Sequence, residues 1–240
     1  MEYFLIFVAI NFLIVLHEAG HLIGAKCAGI GVARFSVGFG RKIWGLKIRD
    51  TEYRFSMIPL GGYVLPSAAG KERLDRLSTG RRMIFSLGGP LANLVGAFVC
   101  IALASTLRGG FSLKTTFLLP LTLTWQTVSE LCTLIPAAFG NPQQVSGIVG
   151  LVAIGGQNVG ASIGGLLIFA FILNVNLFVL NLLPIPPLDG GRIVFLLLQR
   201  LYAPLQRLRI PIALTGWVLL VGVLVYATAM DISRLLAQAP

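Results

Sequence analysis

Four long runs of this chain are almost free of charge, at about residues 3–24, 83–107, 163–183 and 212–230. Each approaches the ~20 residues that an α-helix needs to cross ~30 Å of hydrocarbon, so the pattern predicts four transmembrane helices. Between the first two runs the period changes. Residues 43–48 and 53–57 alternate apolar with polar, and Asp50-Thr51 lies between them as a turn. Alternation with period 2 predicts a β-hairpin, placed here in a loop of about residues 35–65. A fifth apolar stretch, about residues 113–139, carries Trp125, Gln126, Ser129 and Glu130 as a partly polar face, which predicts an interfacial or re-entrant segment. The expected fold is a polytopic α-helical membrane protein: four transmembrane helices with a membrane-associated β-hairpin loop, forming a single core over residues 1–240.

Composition agrees with that pattern. Apolar residues make up 56% and charged residues 12% of the chain, and the mean hydropathy is +0.85, well outside the range of soluble domains. The net charge of +10 would suit nucleic acid, but its distribution argues otherwise. Twelve of the nineteen Lys and Arg residues fall between Lys26 and Arg82, and four more between Arg192 and Arg209. Basic loops mark the cytoplasmic side, so loops one and three are expected there, with both termini outside and no nucleic acid as partner. A fifth crossing at 113–139 would move the second basic cluster to the outer face, against this bias. The first run lacks a basic n-region and is not read as a cleavable signal peptide. Cys27, Cys100 and Cys132 fall at three different depths and form no disulfide framework; they are read as small apolar fillers.

The chain has only two histidines, and they sit four apart in His17-Glu18-Ala19-Gly20-His21, inside the first apolar run. On a helix, residues four apart differ by about 40° and about 6 Å, so both imidazoles can reach one metal ion. Glu18 projects close enough to hold a water on that ion. Two ligands and a general base in this spacing are the helical H-E-x-x-H arrangement, in which zinc acidifies water and the carboxylate takes its proton. The alternative is a pair of interior histidines bonded to neighbours. Ionisable groups in an apolar span are costly and point to function.

A third ligand is required, and the sequence offers few. Of nine acidic residues only Asp189 closes an apolar span, in Asn181-Leu-Leu-Pro-Ile-Pro-Pro-Leu-Asp189-Gly190-Gly191. The prolines at 184, 186 and 187 cannot continue a helix, so the third span should unwind before Asp189. Irregular backbone at membrane depth is tolerated only in protein or along a cavity. Alternatively, Asp189 caps the next helix. Depth decides between these. From Tyr3 to Leu16 a helix rises about 21 Å, which puts the histidines in the inner third of the core, and the third span brings Asp189 to the same level. His17, His21 and Asp189 plus a water give the open coordination of catalytic zinc, one ion per chain.

With these residues in view, the chain resembles the site-2 proteases, zinc metalloproteases that cut substrates within the membrane. His17–His21 matches their HExxH box and Asn181–Gly190 their N-x-x-P-x-P-x-L-D-G box. Phe35-Ser-Val-Gly-Phe-Gly40 and Ile58-Pro-Leu-Gly-Gly-Tyr-Val64 resemble the segment forming a membrane-reentrant β-hairpin in bacterial members. Gly89-Pro90-Leu-Ala-Asn93 resembles the start of their second conserved span, and Ser146-Gly147-Ile-Val-Gly150 the S-G-P-x-G stretch before the third, with Ile148 in place of proline. The resemblance implies zinc on His17, His21 and Asp189, Glu18 as base, and Asn176 and Asn181 lining the substrate site. It further implies intramembrane proteolysis of a single-pass membrane protein, such as an anti-sigma factor or a signal-peptide remnant. The setting it implies is the bilayer of a bacterial cytoplasmic membrane, with the active site near the cytoplasmic side. Many relatives carry one or two PDZ domains between the second and third core spans. Arg108–Gly147 offers only forty mostly apolar residues here, and no regulatory domain is expected after the fourth span, so a minimal core enzyme is expected.

A substrate helix must be unwound before hydrolysis. An exposed hairpin edge could accept it as a strand, and Tyr53, Phe55 and Met57 are the candidate residues. The alternative is a surface ribbon anchoring the enzyme. Asn181 could donate to the peptide carbonyl or oxyanion, whereas interhelical hydrogen bonding is the plain role for Asn176, Asn181 and, above all, Asn93. Two other functions compete: an inactive membrane scaffold that kept the fold, and a polytopic transporter built on the broken helix. A transporter would not need Glu18, and no internal repeat supports one.

Overall fold

The computed structural model describes residues 2–140 and 162–237; the segment 146–150 singled out above lies outside them. Helix α1 (Glu2–Cys27) leads into strands β1 (Val32–Ile48) and β2 (Thr51–Pro66), then α2 (Ala68–Arg76) and α3 (Thr79–Gly109). A π-helical turn (Lys114–Leu118) opens α4 (Leu119–Gly140). Helix α5 (Ile163–Asn181), helix α6 (Asp189–Leu201), a 3₁₀ turn (Ala203–Leu208) and helix α7 (Arg209–Ala237) complete the described chain. The molecule is mostly helical. Among the described residues, four helices are long and apolar enough to cross a membrane: Phe4–Cys27, Thr79–Gly109, Ile163–Asn181 and Ile210–Arg234.

Local chemistry sets the ends of these elements. Gly29 adopts the left-handed region (φ 72°) just past α1, where the Ile30 N–H donates to the Ala25 carbonyl at 2.8 Å and closes the helix. Ser67 and Ser162 accept from the backbone N–H three residues on, capping α2 and α5. Helix α5 stops at Asn181, and the chain stays irregular through the prolines until α6 begins at Asp189. Asp189 lies in the first turn of α6, and no side chain caps that helix.

Helices α1 and α3 meet backbone to backbone. A Cβ on Gly20 would overlap the Gly88 carbonyl, and one on Gly88 the Gly20 carbonyl, while Gly24 lies against the Ile84 carbonyl. Such close approach through small residues brings the two helix backbones into van der Waals contact. Two further contacts pin the bundle: Ile6 and Leu13 of α1 with Phe169, Ala170 and Leu173 of α5, and Leu22 and Ala25 with Ile30, Val32 and Phe35 at the hairpin base. Helix α7 is peripheral; Leu214, Val218 and Val225 are 61–72% exposed.

The segment expected to be interfacial or re-entrant is helical. Thr116 and Thr106 hydroxyls hydrogen-bond at 2.9 Å, and Leu123, Val128 and Leu131 pack against Ala97, Ile101, Phe171, Val175 and Val179. Trp125, Gln126, Ser129 and Glu130 point outward.

Strands β1 and β2 form one long antiparallel hairpin, from Val32↔Pro66 at its base to Ile48↔Thr51 at its tip. The turn is Arg49-Asp50, with Arg49 left-handed (φ 53°), one residue earlier than the sequence suggests. The hairpin is also folded over. Arg34, Phe35, Ser36 and Val37 pair with Leu65, Val64, Tyr63 and Gly62 on one side and with Glu52, Tyr53, Arg54 and Phe55 on the other. Gly38 and Gly40, at φ 86° and 83°, make this fold-over on β1, and Gly61 at φ 143° makes it on β2. Segment 52–55 is thereby paired along both flanks.

Candidate metal centre

One turn of α1 carries His17, Glu18 and His21, and the two Nε2 atoms stand 3.1 Å apart. The first turn of α6 brings Asp189 between them, with Oδ2 at 3.2 Å from His17 Nε2 and 3.1 Å from His21 Nε2. Asp189 and His21 are buried. Among the described residues this is the one group of three such side chains gathered closely enough to hold a metal ion.

Zinc fits this donor set. Donors on a tetrahedron with bonds of about 2.0–2.1 Å lie about 3.3 Å apart, close to the observed triangle. His21 Nδ1–H donates to the Phe85 carbonyl at 2.9 Å, which leaves the Nε2 lone pair facing Asp189 and His17. Space is kept open by Gly89 of α3. A Cβ there would stand 2.5 Å from His21 Nε2 and 2.6 Å from His17 Nε2, in the place an ion needs. The far carboxylate oxygen of Asp189 is reached by Arg192 Nη1 at 3.4 Å.

Glu18 lies on the same turn, and its Cγ faces Gly62 of β2, where a Cβ would come within 2.9 Å. At Gly62 the hairpin thus comes up against the centre. Tyr53 packs on Phe35, ring centroids 5.8 Å apart. Phe55 and Met57 are exposed, but Tyr53 and Phe55 each pair with a strand on both sides and offer no free edge. Period-2 alternation cannot reveal this, because it reports faces of a strand and not its neighbours.

Asn176 and Asn181 each donate to the carbonyl four residues back on α5, at 2.9 Å, and neither is hydrogen-bonded to His17, His21 or Asp189. Asn93 is different. It is fully buried, and its amide lies 2.9 Å from His17 Nδ1, so the interhelical contact read from the sequence falls on a metal-ligand candidate. Gly89 and Arg192 do not stand out in the sequence. Their only signals are Gly89's place in the Gly-Pro-x-x-Asn stretch and Arg192's place three residues past Asp189.

Comparison with known proteins fits this geometry. The sequence model of peptidase family M50 matches residues 5–224. The chain belongs to peptidase family M50, the site-2 protease family. A protein of Campylobacter jejuni named as a candidate zinc metalloprotease is 25% identical over 355 positions, covering 99% of this chain and 95% of that protein. Another of Clostridium perfringens, named likewise, is 25% identical over 326 positions and covers 93% and 96%. Both alignments are longer than this chain, so these M50 relatives carry residues with no counterpart here. The regulator of sigma E protease of Haemophilus influenzae is 40% identical over 100 residues, 38% of this chain and 23% of that protein. Family and relatives make a zinc metalloprotease the coarse reading, and the His/Asp donor set agrees with it.

Proposed function

We propose that this M50 protein lies in the bacterial cytoplasmic membrane and hydrolyses peptide bonds in or near the transmembrane segment of single-pass membrane proteins. The observation that carries the reading is the triangle of His17 Nε2, His21 Nε2 and Asp189 Oδ2 beside Glu18, inside a helix apolar enough to span a bilayer. Its four apolar helices cross the membrane, with the basic loops cytoplasmic and both termini outside. Helix α4, packed along α3 and α5, is a re-entrant element of the bundle rather than a surface-lying one.

In this reading His17, His21 and Asp189 hold zinc, which supplies Lewis acidity toward water and a peptide carbonyl. Arg192, on the far carboxylate oxygen of Asp189, helps keep its Oδ2 aimed at the histidines. Glu18 takes a proton from the attacking water and delivers it to the leaving nitrogen. Turned 180° about its terminal bond, the Asn93 amide accepts from His17 Nδ1–H, which gives its buried Oδ1, otherwise without a hydrogen bond, a partner. The outer edge of 62–65, next to Glu18, receives the unwound substrate as an added strand. Asn181 offers its second amide hydrogen to the substrate carbonyl. The relative named regulator of sigma E protease supports a regulated membrane substrate, an anti-sigma factor being one such class.

The test is cleavage of a tagged single-span substrate in detergent by wild type and Glu18→Gln, with zinc measured in both. Cleavage by the wild type alone, with zinc kept by the variant, is expected. Zinc in neither form would sink the proposal.

A further inference from the structure

Two asparagines are sealed inside the apolar bundle. Asn93 of α3 and Asn174 of α5 are both fully buried, at 0% exposure. Each has a side-chain oxygen without a hydrogen bond. Asn174 commits its amide to its own helix, donating from Nδ2 to the Ala170 carbonyl at 3.0 Å. Its Oδ1 lies against α3: a Cβ on Gly96 would stand 3.0 Å from Asn174 Oδ1 and 2.5 Å from Leu16 Cδ2. The oxygen is thus in the seam where α1, α3 and α5 meet, beside the residue that precedes His17. Polar side chains in a membrane bundle bond across helices, and a buried acceptor left unpaired is unfavourable. This one calls for a donor.

Asn93 supplies one. Its amide is 2.9 Å from His17 Nδ1. For His17 Nε2 to keep a lone pair for an ion, the ring proton must sit on Nδ1, so the Asn93 atom facing it must be the acceptor oxygen. Asn93 Nδ2 then takes the buried place otherwise held by Oδ1, with N–H groups to give. Asn93 and Gly96 are three residues apart on one face of α3, where Cβ positions lie about 5–6 Å apart. Two hydrogen bonds of about 2.8 Å through one water cover that span. Buried waters join polar groups that protein partners leave unpaired, and Asn174 Oδ1, next to Gly96, has the lone pairs such a water needs.

We propose that Asn174 is a positioning residue for the metal centre. One buried water accepts from Asn93 Nδ2–H and donates to Asn174 Oδ1, which holds Asn93 with its own oxygen on His17 Nδ1–H. His17 Nε2 is thereby kept as the free, metal-facing nitrogen by α5, a helix that carries none of the three ligand candidates. The inference rests on the reading of His17 as a metal ligand.

The chain has only two histidines, so labelling histidine with heavy nitrogen gives two rings to follow by magnetic resonance. In the full chain, metal-free in detergent at alkaline pH, His17 should be a single Nδ1–H tautomer, its signals assigned by their loss in His17→Gln. Asn174→Leu keeps the volume and removes the acceptor; it should give both tautomers and bind zinc about tenfold more weakly, the low end of the loss on disturbing groups around a metal ligand. In an Asn93→Ala background the same substitution should change zinc affinity less than about twofold, because the link is already broken. Asn174→Asp keeps an acceptor and should recover the single tautomer. Thr124→Val removes another buried oxygen that lacks a hydrogen bond, outside this link, and should leave His17 unchanged. Asn174→Ala is the second variant should Asn174→Leu fail to fold. An unchanged His17 tautomer, fully additive zinc losses in the double variant, or equal losses in Asn174→Leu and Thr124→Val would overturn the inference. The Asn93 side-chain amide should also show cross-relaxation with water that Asn174→Leu abolishes; its persistence there would overturn the water bridge. Tautomers governed by Asn174 in a chain that binds no zinc would support the link and sink the metal reading alone.

Discussion

Gly89 of α3 faces His17 of α1 so closely that a Cβ on the glycine would stand 2.6 Å from the imidazole Nε2. The helix crossing and the candidate metal centre are therefore neighbours on α3: Gly88 lets the helices touch, and the next residue, Gly89, leaves room at the histidine nitrogens. Gly89→Ala should bind zinc at least about tenfold more weakly while the helices stay folded, by analogy with the loss on disturbing the surroundings of a metal ligand. Zinc content after dialysis, with circular dichroism as the folding control, decides this. Full zinc occupancy would show that α3 does not limit the site.

Asn93 should behave as a positioning residue for His17. Asn93→Ala should weaken zinc about 10–100-fold, and Asn93→Asp, which keeps an acceptor for Nδ1–H, should recover part of that loss. Competition with a fluorescent zinc chelator reads both. Equal loss in the two variants would point to packing alone.

Proline at 63 and at 64, in separate variants, separates the two edges of the hairpin. Strand residues alternate between N–H groups turned toward the partner and away from it, so one of the two prolines removes an outward N–H. That variant should lose most cleavage of a single-span substrate while keeping zinc. Proline at 53 disturbs a segment paired on both flanks and should instead destabilise the hairpin, read as faster limited proteolysis. Unchanged cleavage in both edge variants would remove strand addition from the mechanism.

Glu52 bridges Lys42 Nζ and Arg34 Nε, each at 2.8 Å, and ties the hairpin tip to its base. Hydrogen bonds from Lys42 first and Arg34 second hold its carboxyl down at about 2, against an ordinary 4.5. A depressed carboxylate stabilises the fold above its unfolded pKa. The contribution should be complete above about pH 4.5 and fade as the pH falls toward 2. Pepsin nicking of the hairpin should rise through that window in the wild type. Glu52→Gln should be nicked readily at every pH, and identical profiles would show that the bridge contributes nothing.

Much of this architecture is legible in the amino-acid sequence. Four spans, the hairpin and the break after Asn181 follow from local rules: run length, period and proline chemistry. His17, Glu18 and His21 stand out because a helix places residues four apart on one face, and Asp189 because no other acid closes an apolar span. The tertiary structure decided what those rules leave free. The glycine bend at 38, 40 and 61 folds the hairpin on itself, which leaves its alternation unchanged but pairs 52–55 with a strand on both sides and sets Gly62 against Glu18. The roles of Gly89, Asn93 and Arg192 likewise exist only where α3 and α6 cross beside α1. A sequence prescribes periodicity and caps within one element. Which edge is left free, and which atom faces a ligand, depends on segments up to 168 residues apart meeting in space.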